Sequence, residues 1–249
     1  TWQDDDWMYG GASAWITGSY DPDTDLVYWG IGNPGPDWNP EQRPGDNLYS
    51  DSVVALNPDT GELEWYFQFT PNDPYDYDAV QVPVLIDYPA QDGSMLKLML
   101  FGNRNGFFYI LDRATGRFIN GEPYINLNWA EGLDDVGRPI FTPQPPGTTT
   151  YPGVQGGTNW YSPSYSPSTR LFYMSTWENN GSNFEAQEAE YEPGRTFLGG
   201  RPAPPVPGAA LPNLARGPIN TWTESAGTGA VKALDPATGE ERWKFPMTD

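Results

Sequence analysis

An all-β fold, a propeller assembled from repeated strand–turn–strand units, is what this chain predicts. Three observations lead there. An eleven-residue phrase occurs twice, as ALNPDTGELEW at residues 55–65 and as ALDPATGEERW at residues 233–243, and self-similarity of this kind marks a repeat architecture. Gly 28 and Pro 27 among 249 residues interrupt any long helical pattern. Aromatic residues, 15% of the chain, supply large rigid packing groups for strand faces.

Each copy of the phrase reads as strand, tight turn, strand. The apolar run stops at Asn57 or Asp235, Pro follows, and Thr-Gly closes the turn. Pro presets φ there, and Gly61 or Gly239 supplies a positive φ that other residues resist. Weaker echoes stand at residues 19–29 (SYDPDTDLVYW), 110–118 (ILDRATGRF) and 164–174 (SYSPSTRLFYM). The five turns begin near residues 21, 57, 112, 166 and 235, intervals that suit β-meanders with insertions in their loops. A β-sandwich would space its turns more closely and would not repeat the phrase.

In chain order, residues 1–50 hold one strand pair and a loop dense in Gly, Pro and Asp (GNPGPDWNPEQRPGDN). Residues 51–120 hold the best-formed strands, including LKLMLFGNRNGFFYILDR, whose apolar runs predict buried sheet. From 120 to 157 the pattern loosens, and GGTNWYSPSYSP then opens a further blade. At about 185–218 the chain turns acidic and then Pro-rich (EAQEAEYEP, RPAPPVPGAALP), which predicts a long surface excursion with polyproline character. The closing ALDPATGEERW resumes the fold, so residues 1–249 read as one partial propeller.

A net charge of −20 argues against nucleic acid or an anionic membrane as partner. It favours cations or basic partners, and equally keeps a Trp-rich protein in solution. No stretch reaches the length of a membrane-spanning helix. With Cys 0 the chain has no disulfide and no thiolate metal site, and with His 0 it lacks the usual base, the usual soft-metal ligand and the common nucleophile triads. Proton transfer therefore falls to carboxylates, Tyr, Lys or a cofactor.

Oxygen donors gather in two loops. In TPNDPYDYD, residues 70–78, Asp73, Asp76 and Asp78 follow a strand ending near Phe69. In extended chain Asp76 and Asp78 would share a face. The second loop holds Asn33, Asp37, Asn39, Asp46 and Asn47. Asn and Asp also serve as ordinary turn formers. As ligands they suit calcium or a larger trivalent ion of similar hardness better than zinc or copper.

GGASAW (10–15), YDPDTDLVYWGIGNPGP (20–36), RPGDNLYS (43–50), TPNDPYDYD, NRNGFFYILDR (103–113) and GGTNWYSPSY (156–165) follow one another along nearly the whole chain. In that order they resemble the pyrroloquinoline quinone (PQQ) dependent alcohol dehydrogenases. The repeated phrase is similar to that family's Trp-docking motif, which ties the blades of an eight-bladed propeller together. The resemblance implies oxidation of a primary or secondary alcohol by metal-assisted hydride transfer to PQQ, in the periplasm. Electrons then pass to a cytochrome c or another acceptor, and no CxxCH here would hold a haem.

Carried over position by position, the resemblance makes Trp15 the flat floor under the quinone and Asn33 a metal ligand. Asp76 becomes the base that takes the alcohol proton, ionised at neutral pH, and a metal ligand too. Asp78 matches the position where an extra Asp accompanies lanthanide use, so calcium and a lanthanide both stay open with the lanthanide slightly favoured. Arg104 matches the cation beside the quinone oxygens, and Asn159 and Trp160 match a polar and aromatic pair on the cofactor rim. The family's metal-ligand Glu, its vicinal disulfide and its later blades have no counterpart in this chain, so about half a propeller is expected, with the activity belonging to a longer enzyme. Two other classes compete. A non-catalytic propeller scaffold of the kind that assembles outer-membrane proteins would lack the Asn33, Asp76 and Arg104 set, and a glycosidase would need a second carboxylate paired with Asp76.

Overall fold

The computed structural model describes residues 1–3, 5–90, 92–145, 148–202 and 223–247. β1 (Ser19–Asp21), β2 (Leu26–Gly30), β3 (Ser52–Leu56) and β4 (Leu63–Gln68) form a first antiparallel sheet in sequential order. A second comprises β5 (Val84–Pro89), β6 (Met95–Gly102), β7 (Phe107–Asp112) and β8 (Phe118–Pro123). The hairpin of β9 (Ala130–Leu133) and β10 (Pro139–Phe141) follows. The third four-stranded sheet begins with β11 (Ser164–Ser166) and β12 (Leu171–Ser182), is interrupted by the hairpin of β13 (Phe184–Ala186) and β14 (Gly200–Pro202), and closes with β15 (Thr223–Leu234) and β16 (Glu241–Pro246). Three consecutive four-stranded meanders are the blades of a propeller.

The five sequence turns fall into two kinds. Those beginning at Asn57, Asp112 and Asp235 join the third and fourth strands of a blade, and those at Asp21 and Ser166 join the first and second. In the first kind the geometry repeats three times. The amide of Gly61, Gly116 or Gly239 donates to the carbonyl four residues back at 2.8 Å, and the Asn57, Asp112 or Asp235 side chain accepts the amide two residues on at 2.9 Å. The three glycines have φ of 75°, 72° and 76°, where a side chain would strain the backbone. Because neighbouring strands are antiparallel, all five turns lie at one end of the blades. The connections between second and third strands, and those from blade to blade, emerge at the other end.

Burial follows the period of two. Met99, Phe101, Phe107, Tyr109 and Leu111 face Leu26, Tyr28, Val53 and Ala55 of the first blade. Their sequence neighbours Leu98, Leu100, Phe108 and Ile110 face Phe172, Met174 and Leu234 of the third. The middle blade is thus covered on both faces, which is why β6 and β7 read as unbroken apolar runs. Specific locks hold the blades in register. Trp65 lies against Gly116, where an added Cβ would come within 2.4 Å of the indole. Asn120, at the corresponding position of the second blade, instead donates to the Thr238 carbonyl at 3.0 Å. Buried Arg113 pairs with Asp21 at 2.6 Å and Asp87 at 2.8 Å. Buried Lys232 pairs with Glu178 and Glu241, both at 3.0 Å, and donates to the Tyr124 carbonyl.

The expected excursion begins as the β13–β14 hairpin and docks on the loop after β2. Phe184 stacks on Trp38 with centroids 4.2 Å apart, and Gln42 donates to the Ala189 carbonyl at 2.9 Å. Its remainder, 203–218, lies outside the described residues. Trp65→Ala is expected to cost about 3 kcal/mol and Gly116→Ala about 1–3 kcal/mol. Acting on one contact, the double variant should cost less than the sum in urea unfolding. Full additivity would show that the contact does not join the blades.

Candidate active site

Every acidic loop singled out in the sequence emerges at the end of the blades opposite the repeated turns. The tight turn between β6 and β7, NRNG, carries Arg104 out of the most buried sheet. Gly106 at φ 101° lets it close, with its amide bonded to the Asn103 carbonyl at 3.1 Å. The Arg104 side chain is 7% exposed. Its Nη1 donates to Asp78 Oδ2 at 2.6 Å, Nη2 lies 3.5 Å from Asp76 Oδ2, and both Nε and Nη2 donate to the Val154 carbonyl. Burial opposes this charge, yet Asp76 and Asp78 outweigh it and hold the guanidinium above its usual pKa.

The loop after β4 presents the two carboxylates differently from the extended arrangement expected. Residues 70–78 are irregular, and Asp76 is a non-glycine residue at φ 61°. The pair meets at Arg104 because the loop folds back, with Asp73 Oδ1 accepting the Tyr75 amide at 2.8 Å and Oδ2 the Tyr77 amide at 2.5 Å. Tyr77 is buried and its hydroxyl donates to the Pro152 carbonyl. Beside this loop a cavity of about 280 Å³ is lined in part by Trp38, Tyr75, Val154 and Phe184, and none of its lining residues is charged.

Asn33 stands next to the pair. Its backbone amide donates to Asp78 Oδ1 at 2.9 Å, and its side-chain Nδ2 donates to the Pro34 carbonyl at 3.3 Å. A Cβ on Gly32 would come within 2.4 Å of Asp78 Oδ1, so that position must be glycine for the approach. Residues 11–13 strap across this segment through Ala12 N to Asn33 O at 2.6 Å and Gly32 N to Ser13 O at 3.0 Å. The strap brings Trp15 close along the chain. The indole is 44% exposed, and among the described residues it makes no hydrogen bond or ring contact. The GGTNW loop reaches the site from behind. Gly157 N donates to the Arg104 carbonyl at 3.0 Å, and a Cβ on Gly156 would come within 2.1 Å of the Arg104 side chain. Asn159 and Trp160 do not join the carboxylates. Asn159 bonds to the Gln155 carbonyl and the Trp160 amide, while Trp160 is 53% exposed and packs on Tyr161.

Electrostatics at Asp76 is set by burial and by its charged neighbours. Burial raises its pKa well above 3.8, Arg104 pulls it down, and Asp78, Asp37 and Asp73 push it up again. Burial also raises Asp37 to about 7, against the Asn33 hydrogen bond, and Asp73 to about 6, against the Tyr77 and Tyr75 amides. Asp51 is fully buried, and neither of its carboxylate oxygens has a hydrogen-bond partner among the described residues. Five carboxylates thus crowd around two cations, Arg104 and Arg43. A hard cation fits this surplus and this all-oxygen donor set. Among the described residues no three carboxylates are arranged to enclose an ion by themselves, so Asn33 would have to complete the set.

Sequence reasoning missed Arg43 and Asp51. Fully buried Arg43 donates to the carbonyls of Pro36 at 2.9 Å, Asp37 at 3.1 Å and Asp73, and to Asn47 Oδ1 at 2.9 Å. The only sequence signal was a lone Arg in a loop of Gly, Pro and Asp.

Residues 1–121 match the family model described as "PQQ: Glucose/ethanol/alcohol dehydrogenase, beta-propeller domain". The chain is 39% identical over 256 residues to the quinoprotein alcohol dehydrogenase PedH of Pseudomonas putida, covering 98% of this chain and 40% of PedH. Its fold is similar to a europium-containing methanol dehydrogenase with a TM-score of 0.83 at 34% identity, over 99% of this chain and 41% of that one. The chain belongs to the PQQ-dependent alcohol dehydrogenase family. Another member, the lanthanide-dependent methanol dehydrogenase of Methylacidiphilum fumariolicum, is 39% identical over 207 residues, covering 80% of this chain and 33% of its own length. The quinohemoprotein alcohol dehydrogenase from Comamonas testosteroni matches with a TM-score of 0.80 at 30% identity, over 96% of this chain and 35% of that one. The chain therefore spans well under half the length of these family members.

Asp37 and Asp73 bind protons more tightly folded than unfolded. Their contribution is therefore favourable at low pH and is lost as pH rises from about 4 to about 7. Metal-free protein is expected to lose stability across that window in denaturant titrations, and added lanthanum should flatten the loss. A flat profile without metal would contradict the charge surplus.

Proposed function

We propose that the full-length protein containing this chain oxidises a primary or secondary alcohol to an aldehyde or ketone, with PQQ and a calcium or lanthanide ion. The observation that carries this reading is the meeting of Asp76 and Asp78 at Arg104, 3.5 and 2.6 Å away, beside Asn33. When bound, PQQ with its metal ion supplies the electrophile that accepts hydride from the substrate carbon.

The chain's own residues do the rest. Asn33, Asp76 and Asp78 hold the ion through amide and carboxylate oxygens. Trp15 offers its half-exposed indole to the flat cofactor, Arg104 supplies fixed positive charge beside it, and Asn159 and Trp160 stand at its rim. Asp76 takes the hydroxyl proton of the alcohol. To do so it must be ionised, and Arg104 and a bound cation both favour the charged form that burial disfavours. The uncharged cavity beside Tyr75 offers room for the carbon skeleton of the alcohol.

Asp78 tilts the metal preference. One of its oxygens is engaged by Arg104 and the other by the Asn33 amide, and each keeps lone pairs for an ion. A further carboxylate favours the higher charge of a trivalent ion, and relatives include proteins named for lanthanide or europium. Electrons leave to a cytochrome c or another acceptor, and the enzyme works in the periplasm, both on family grounds. A non-catalytic scaffold has no use for a buried acid surplus around Arg104, which disfavours that alternative.

Asp76→Ala in the full-length enzyme is expected to lower dye-linked alcohol turnover by about 10²–10⁴-fold while PQQ still binds by absorption spectroscopy. Unchanged turnover would remove Asp76 from the mechanism. Asp78→Ala should weaken europium binding more than calcium binding. Equal losses would leave Asp78 without a role in choosing the ion.

A further inference from the structure

We propose that Asp73 is the positioning residue for Asp76, and that Arg43 sets the distance between Asp76 and the Asn33 loop. The inference rests on the reading of Asp76 as base and metal ligand given above.

Asp76 projects from a left-handed backbone position, φ 61°, which a side-chain-bearing residue does not keep without support. The support comes from one carboxylate. Asp73 Oδ1 and Oδ2 accept the amides of Tyr75 and Tyr77, the two residues flanking Asp76, at 2.8 and 2.5 Å. Asp73 itself is fully buried, so no water competes for these bonds. A clamp on both neighbours fixes the direction of the Asp76 side chain without touching it.

The clamp is anchored in turn. Arg43, also fully buried, donates to the Asp73 carbonyl, while its remaining donors take the carbonyls of Pro36 and Asp37 and the Asn47 side chain. Pro36 and Asp37 close the same loop that carries Asn33. A planar guanidinium with a rigid fork of donors therefore spans the gap between the two ligand-bearing loops. Among the described residues neither Asp73 nor Arg43 makes a hydrogen bond with the Asp76 or Asn33 side chains, so both act through backbone.

The test uses the full-length protein with europium as probe. Asp73→Asn keeps size and one acceptor but turns an NH₂ toward an amide donor, breaking one arm of the clamp. It is expected to weaken europium binding by about 10–100-fold, the usual cost of losing a residue that orients a ligand. It should also add coordinated water, read as a shorter luminescence lifetime in H₂O relative to D₂O. With metal saturating, kcat should fall while KM for the alcohol holds. Arg43→Lys should reproduce the added water, since an ammonium cannot span the fork. A lower melting temperature with affinity, lifetime and kcat unchanged in Asp73→Asn would reduce Asp73 to a structural role and overturn the proposal. Asp76→Asn separates the readings: if that variant keeps wild-type europium affinity and hydration, the assignment of Asp76 fails first and the positioning role falls with it.

Discussion

Arg104 is the group on which this end of the molecule turns. A guanidinium taken out of water is costly unless its donors and its charge are met, and here two carboxylates and the Val154 carbonyl meet them. The same ion pairs draw in three separate stretches of chain: the loop after β4, the Asn33 segment through Asp78, and the glycine-rich loop before β11 through the Arg104 carbonyl. Replacing the guanidinium would leave buried acids facing one another. The fold supplies a fitting mount, because β6 and β7 are the only described strand pair covered by packed blades on both faces.

The two ends of the blades divide the labour. One end holds short repeated turns whose Asn, Asp, Thr and Gly residues satisfy each other locally, and it fastens blade to blade through Trp65 on Gly116 and Asn120 on Thr238. The other end holds long loops that satisfy their polar groups only across the fold. Arg43 and Asn72 reach between loops, and Asp51 ties the Gly32 carbonyl to the Phe69 amide through its own backbone. Strain collects at that end as well. Ala12, Asn47, Asp51, Asn72 and Asp76 have positive φ there, with values from 49° to 61°, while Asp25 and Arg170 have it in the turns at the other end. Non-glycine residues held in that region mark sites where surrounding structure over-determines the backbone for a purpose.

An acid surplus of this kind makes stability and function pull in opposite directions. Burial pushes the pKa of Asp37, Asp73 and Asp76 upward, and for Asp76 the Arg104 guanidinium opposes that shift. A nearby cation would lessen the repulsion among these carboxylates without being enclosed by them.

Local chemistry made the strands and turns legible. The repeated phrase needed only Gly61, Gly116 and Gly239 at positive φ and period-two burial, both of which a short window of sequence displays. The oxygen-rich loops and their hard-cation character were likewise readable from residue type. What no window contains is pairing over distance: Arg104 lies 26 residues from Asp78, and Arg43 lies 30 from Asp73. Extended-chain reasoning put Asp76 and Asp78 on one face, whereas a left-handed turn and a remote guanidinium brought them together. The pKa of Asp76 is likewise beyond any window, since it is set by burial and by neighbours from other loops. Sequence alone thus determined the blades and the kind of atoms offered at their loops. Only the tertiary structure decided which atoms meet and in what charge state, because desolvation and Coulomb energy depend on distances that chain order does not encode.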